Sequence, residues 1–251
     1  MLGDEVSEVR NAAADALGKI GKPAVGPVGK ALADRDRQLA AVRAAGQLGA
    51  LAADLVPAIV KCLRTPGARE TVATAIASIG EPGLKHVIEG LQDNAVNLEL
   101  CDGLAAMGPA AKPAVPALLQ LLAKRGVRGR EGAADALGAI GDPSAVPGLV
   151  AVVDEALPKN DIMLFSVATR SLAALGRIKA KPELVVPLCL RVLESPRRDP
   201  DAGRMREDAL GLLERFDAKQ PEVIAALRAF VAGNPGEQKG AAEKLLKKLG
   251  G

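Results

Sequence analysis

Apolar positions along the 251-residue chain recur in blocks of roughly thirty to forty residues, the period range of helical solenoids. Each block holds two helical stripes. In the first block Val6, Val9, Ala13, Leu17 and Ile20 follow i, i+3, i+4 spacing, which places them on one helix face. Gly21 closes that helix, because glycine takes the left-handed C-cap conformation without a steric penalty. The closing phrase reads ADALGKIG at 14–21 and returns as ADALGAIG at 134–141. Looser copies end at Gly49, Gly80, Gly108, Gly176, Glu214 and Gly250. A second stripe follows each time, opened by proline: KPAVGPV from Lys22, LVPAIV from Leu55, KPAVPALL from Lys112, DPSAVPGLV from Asp142, KPELVVPL from Lys181 and QPEVIAAL from Gln220. Proline suits a first helical turn, whose amides have no intrahelical partner.

This pattern predicts first (A) helices near 5–20, 38–48, 69–79, 96–107, 130–140, 162–175, 203–215 and 238–249. Second (B) helices are predicted near 23–33, 53–64, 82–92, 113–124, 143–156, 182–194 and 221–232. Asp142 and Pro143 make an N-cap and N1 pair. A second proline such as Pro147 is expected to tilt or kink its first turn. The inner glycines Gly18, Gly46 and Gly138 each cost about 1 kcal/mol against alanine; close approach of neighbouring backbones is the expected return. The expected architecture is all-α, a right-handed superhelix of about seven to eight helical hairpins forming one domain over 1–251.

Composition narrows the function. The chain has three Phe and no Trp or Tyr, so its core is built from small and aliphatic side chains. Its formal charge of +3 permits an anionic partner without demanding one. Cys62, Cys101 and Cys189 are odd in number and far apart, and no C-x-x-C occurs, which argues against a disulfide framework or a zinc knuckle. The start, MLGDEVSEV, lacks the apolar region of a secretory signal, and the apolar runs are interrupted short of a membrane span. These features lead to the expectation of a soluble, cytoplasmic protein without membrane association.

The phrase with two alanines, ALG-x-IG, a proline and a Val-Pro-x-Leu helix resembles the HEAT repeat. The likeness runs from about Asp4 to Gly250 and is closest to the bacterial subclass named for phycobilisome-lyase repeats. It implies that B helices line a concave face. It is specific for the repeat and not for a function; the reading that it adds is a bilin lyase-like protein that handles a tetrapyrrole, beside the protein-binding scaffold that a repeat array without an evident active site suggests.

Catalytic chemistry is poorly represented. His86 is the sole histidine, beside Lys85 and near Glu89, and a metal site needs further ligands. Cys62 lies between Lys61 and Arg64, a setting that lowers a thiol pKa if exposed; its apolar neighbours favour a buried thiol. No P-loop, G-x-S-x-G or dinucleotide motif is present. A non-enzymatic protein without cofactor or metal is the expectation. Arg10, Arg69 and Arg130 share one repeat position and Asp15, Asp102 and Asp135 another, which reads as a structural ladder between repeats.

The inter-repeat loops are the richest candidate surface, because equivalent loops of a solenoid fall on one edge. Arg64, Lys124, Arg125, Arg128, Arg130, Arg197 and Arg198 are the binding candidates there, with Lys61 and Arg191 on the B helices. Lys124 to Arg130 is the most acid-poor stretch. Asp34, Asp36, Glu131 and Asp154 share the same loops, so a mixed solvated edge competes with this reading. Lys61, Gln120, Ala151 and Arg191 occupy equivalent positions without a common chemistry, unlike a one-residue base code. A protein partner is therefore expected first, with sequence-independent nucleic-acid or other polyanion binding as the alternative.

Overall fold

Glycines at repeated positions break the chain into hairpins of helices. The computed structural model describes residues 1–159, 161–178, 180–196, 200–233 and 238–250, and every regular element among them is helical. The chain divides into two compact units, Met1–Ile140 and Gly141–Gly251.

In the first unit the A helices are α1 (Ser7–Ile20), α3 (Gln38–Leu48), α5 (Ala68–Ile79), α7 (Asn97–Met107) and α9 (Arg130–Ile140). The B helices are α2 (Val25–Leu32), α4 (Val56–Lys61), α6 (Leu84–Gly90) and α8 (Val115–Ala123). Each A helix packs on the next, from α1 through α3, α5 and α7 to α9, while α2 meets α4 and α4 meets α6. The second unit holds B helices α10 (Val146–Ala156), α12 (Pro182–Glu194) and α14 (Pro221–Gly233). Its A helices are α11 (Ile162–Arg177), α13 (Pro200–Arg215) and α15 (Gln238–Leu249). There α11 packs on α13 and α13 on α15, with α12 against both α10 and α14. The protein is an all-α helical-repeat solenoid.

The A-to-B turns depend on glycine. Gly21, Gly49, Gly80 and Gly108 have φ of 56–74° with ψ between −134° and −152°, a region essentially closed to side-chain-bearing residues. A short 3-10 turn follows each of them, and the α-helix begins only afterwards. This corrects the expected role of Pro147 and its equivalents, whereas Pro187 lies inside α12. Pro57, Pro116 and Pro147 each sit at the second residue of their α-helix, where the ring removes no intrahelical hydrogen bond, so they start the helix rather than bend it. Asp142 caps as expected, its Oδ1 accepting from Ser144 N at 2.8 Å.

One stretch, Gln38–Arg64, is long and apolar enough to satisfy the length and composition test for a membrane span. It is a folded hairpin: Gly49 at φ 58° ends α3, and the chain turns before α4.

All three phenylalanines lie in the second unit, where Phe165 is fully buried. The first unit packs without rings, on residues such as Ala41, Ala45, Val72, Ile76, Leu100, Leu104, Leu118 and Leu137. Small residues bring its A helices close together. A Cβ on Gly18 would lie 2.6 Å from Gln47 Cβ, and one on Gly46 would lie 3.2 Å from Ala75 Cα. The stripe on α1 is only partly covered: Ala13 is buried, while Val6 and Ile20 are half exposed, because α3 covers one side of the helix.

Two substitutions separate close approach from helix propensity. Gly18→Ala lowers the thermal midpoint although alanine is the better helix former by about 1 kcal/mol, because overpacking costs about 1–3 kcal/mol. Gly211→Ala in α13, where nothing lies within 4 Å of the added methyl, raises it. A Gly18→Ala protein melting at or above the parent contradicts the packing described.

Candidate functional site

The carbonyls at the end of a helix lack intrahelical donors and need other partners. In several repeats a long polar side chain in the first half of an A helix reaches back to supply one. Gln38 Nε2 donates to Leu32 O at 3.0 Å, Arg130 Nε to Leu122 O at 2.8 Å and Arg206 Nη2 to Ser195 O at 2.7 Å. Arg10 Nη1 instead binds carbonyls of the segment before its own helix, Asp4 O at 2.7 Å and Glu5 O at 2.8 Å. Arg130 and Arg206 are 7% and 3% exposed. Arg130 is thus a buried brace between α8 and α9, not a surface contact, and the binding candidates lose it.

The expected ladder is present where Arg69 on α5 meets Asp102 on α7: Nε donates to Oδ2, and Nη2 to Oδ1 at 3.2 Å. The equivalent arginines serve differently, since Arg10 and Arg130 bind main-chain carbonyls. Asn97 opens α7 as Arg130 opens α9, and it is fully buried. Its Oδ1 lies 2.6 Å from where Gly129 would carry a Cβ, so that glycine makes room for it.

The remaining candidates lie on the surface in two groups. In the first unit Lys61, Arg64, Lys124, Arg125 and Arg128 are exposed. Arg64 Nη2 stands 3.9 Å from Asp93 Oδ2, and Lys124 Nζ donates to Gln92 Oε1 at 3.0 Å. One edge is thereby continuous from α4 past α6 to α8. Arg128 Nη2 is 3.5 Å from Glu99 Oε1. In the second unit Arg191 makes a two-pronged pair with Asp154, at 2.9 and 3.0 Å. That pair lines a shallow groove of about 340 Å³ with Leu157, Pro158 and Glu194. Arg197 and Arg198 lie outside the described residues. Other loop cations are tied locally, Arg37 to Asp34 at 3.3 Å and Lys159 to Glu155 at 2.7 Å.

Charge in the first unit is divided between its two helix layers. The A helices carry five basic and seven acidic side chains. From each B helix through its closing turn, Lys30, Lys61, Arg64 and Lys85 stand against Glu89 alone. The loops leading from B to the next A add Arg35, Arg37, Lys124, Arg125 and Arg128 against Asp34, Asp36 and Asp93. The B side is therefore electropositive although the chain is nearly neutral, a partition that the linear sequence hides.

Groups suited to catalysis do not converge. Among the described residues no cluster of three His, Cys, Asp or Glu groups can hold a metal. His86 Nδ1 is 3.4 Å from Glu89 Oε2 on the same helix. All three cysteines are free and buried. Desolvation pushes Cys101 and Cys189 up to about 12 and raises Cys62 as well, so all three are neutral thiols near pH 7 and not nucleophiles. A second groove, about 280 Å³, runs between α3 and α5 along Arg43, Gln47, Glu70, Thr71, Thr74 and Ser78. It is polar and open, unlike the largely apolar pockets that enclose small ligands.

Residues 82–160, from the turn before α6 to just beyond α10, match the family model for HEAT repeats. Such repeats commonly act as protein-interaction scaffolds. No curated protein matches the chain.

Two arginines two residues apart respond differently to truncation. Arg130→Ala, which strips a buried carbonyl of a charged donor, costs about 2–3 kcal/mol in urea unfolding. Arg128→Ala, at the exposed end of a 3.5 Å pair, changes stability by less than about 0.5 kcal/mol. Equal losses contradict the division into brace and surface.

Proposed function

We propose that the protein is a non-enzymatic scaffold that binds another protein through the B-helix side of residues 1–140 and its inter-repeat edge. The observation that carries this reading is the charge partition. Cations gather on the B helices and B-to-A loops, while the A helices hold the acidic excess. A surface of this kind steers and orients a partner without a deep pocket. The match to HEAT repeats supports the same class of function, and three buried free thiols suit a reducing cytoplasm. Tetrapyrrole handling rests on the phycobilisome-lyase resemblance alone.

Nucleic acid is the competing polyanion. The first unit contains no Phe, Tyr or Trp, so it offers no aromatic platform for unpaired bases.

Affinity capture from the native host's lysate, at low and moderate salt, tests the function. The companion protein carries Lys124→Glu, Arg125→Glu and Arg128→Glu. A protein partner retained by the parent at moderate salt and lost by the variant is the expected result. Equal retention by both, or recovery of nothing but nucleic acid that washes off with salt, contradicts it.

A further inference from the structure

Between α5 and α7 the Arg69–Asp102 pair bridges the seam. Between α3 and α5 no side-chain hydrogen bond or ion pair crosses among the described residues. The sequence supplies the reason. Thr74 holds on α5 the repeat position of Asp102 on α7, and Gln38 holds on α3 that of Arg69 on α5. The threonine offers no carboxylate. Gln38 is engaged elsewhere, donating to Leu32 O at 3.0 Å and accepting from Thr65 Oγ1 at 2.6 Å. The two helices still meet closely at Gly46 and Ala75, and the groove of about 280 Å³ lies over that contact.

Six polar side chains line this groove, Arg43 and Gln47 on the α3 wall and Glu70, Thr71, Thr74 and Ser78 on the α5 wall. None of them makes a hydrogen bond or ion pair with a described residue. A helical Ser or Thr can bond to the carbonyl four residues back, as Thr169 does to Phe165 O and Ser171 to Val167 O. Thr71, Thr74 and Ser78 do not, and their i, i+3, i+7 spacing puts all three hydroxyls on one strip of α5.

The two charges select the ligand. Arg43 and Glu70 share the groove without pairing with each other. A simple anion there meets the Glu70 carboxylate, a simple cation meets the Arg43 guanidinium, and a neutral molecule answers neither. A zwitterion answers both, its carboxylate taken by the guanidinium fork and its ammonium by Glu70. The hydroxyls and the Gln47 amide, which both donate and accept, serve a peptide group between them. The volume lies just below the range of about 300–1,000 Å³ that takes drug-sized ligands, so the ligand is small. Open polar walls suit one that keeps part of its hydration. We propose that the α3–α5 groove binds a small zwitterion of the short-peptide class, with a free ammonium and a free carboxylate. This site belongs to the A layer and is independent of the scaffold function of the B side.

The test titrates the full, isotope-labelled chain with glycylglycine and follows backbone amide shifts by NMR. Saturable shifts centred on α3 and α5 are the expected result. N-acetylglycylglycine, which lacks the ammonium, and glycylglycinamide, which lacks the carboxylate, each bind at least about threefold more weakly, the scale of one exposed charge pair. Arg43→Gln removes the preference over glycylglycinamide, and Glu70→Gln removes the preference over the acetylated peptide. Both residues are exposed, so helix content and melting stay as in the parent. Lys61→Gln, on the B side, leaves every affinity unchanged. Equal affinity for the three peptides, preferences that survive both substitutions, shifts centred outside α3 and α5, or no saturable shift overturns the inference. None of these outcomes touches the capture of a protein partner through the B side, which stands or falls on its own experiment.

Discussion

A helical hairpin of this chain has more apolar surface than its own two helices can cover. Its A helix is lined on several sides by residues such as Ala40, Ala41, Ala44, Ala45 and Leu48, all buried, and one partner helix cannot shield them all. Burial is completed only by the hairpins before and after, which makes stacking the condition for stability in each unit. Small residues permit it. With glycine at 18 and 46 the A helices approach to distances at which a Cβ would collide, and alanine-rich faces fill the seam without aromatic rings. The approach also fixes the turns, since the chain reverses abruptly at glycines whose dihedrals other residues avoid.

Stacking in turn assigns the charged residues. B helices end where the next A helix begins, so their last carbonyls face a growing seam away from water. Gln38, Arg130 and Arg206 answer those carbonyls, and Arg69 ties neighbouring A helices through Asp102. These side chains hold the stack and are spent there. What remains on the B side, Lys30, Lys61 and Lys85, enters no ion pair with a described residue and faces solvent. The proposed binding surface is made of the cations that the architecture does not consume.

Much of the fold is legible in the sequence because glycine, proline and alanine mark every hairpin. The predicted helices at 38–48, 130–140, 182–194 and 238–249 match those observed. The B helices in the first unit start two or three residues later than predicted, since the segment after each closing glycine forms a 3-10 turn first and periodicity does not distinguish the two. The division after Ile140 carries no sequence mark, as it falls within the clearest repeat phrase, ADALGAIG. At the candidate surface the loop cations are visible in the sequence, but their fates are not. Arg128 and Arg130 are two residues apart with the same chemistry; one lies outside and one is 7% exposed. The difference comes from Leu122 O, a main-chain atom that no side-chain pattern reports. The layer charge partition is hidden for a related reason, since it emerges only when residues thirty positions apart are brought onto one face.

Hydrogen exchange of the full protein, free and bound to a captured protein partner, tests the central claim most directly. Slowed exchange in α2, α4 and α6 and in the loop at 124–129, with α1, α3 and α5 unchanged, is the expected result. Protection confined to the A helices would contradict it and place the binding surface on the opposite layer.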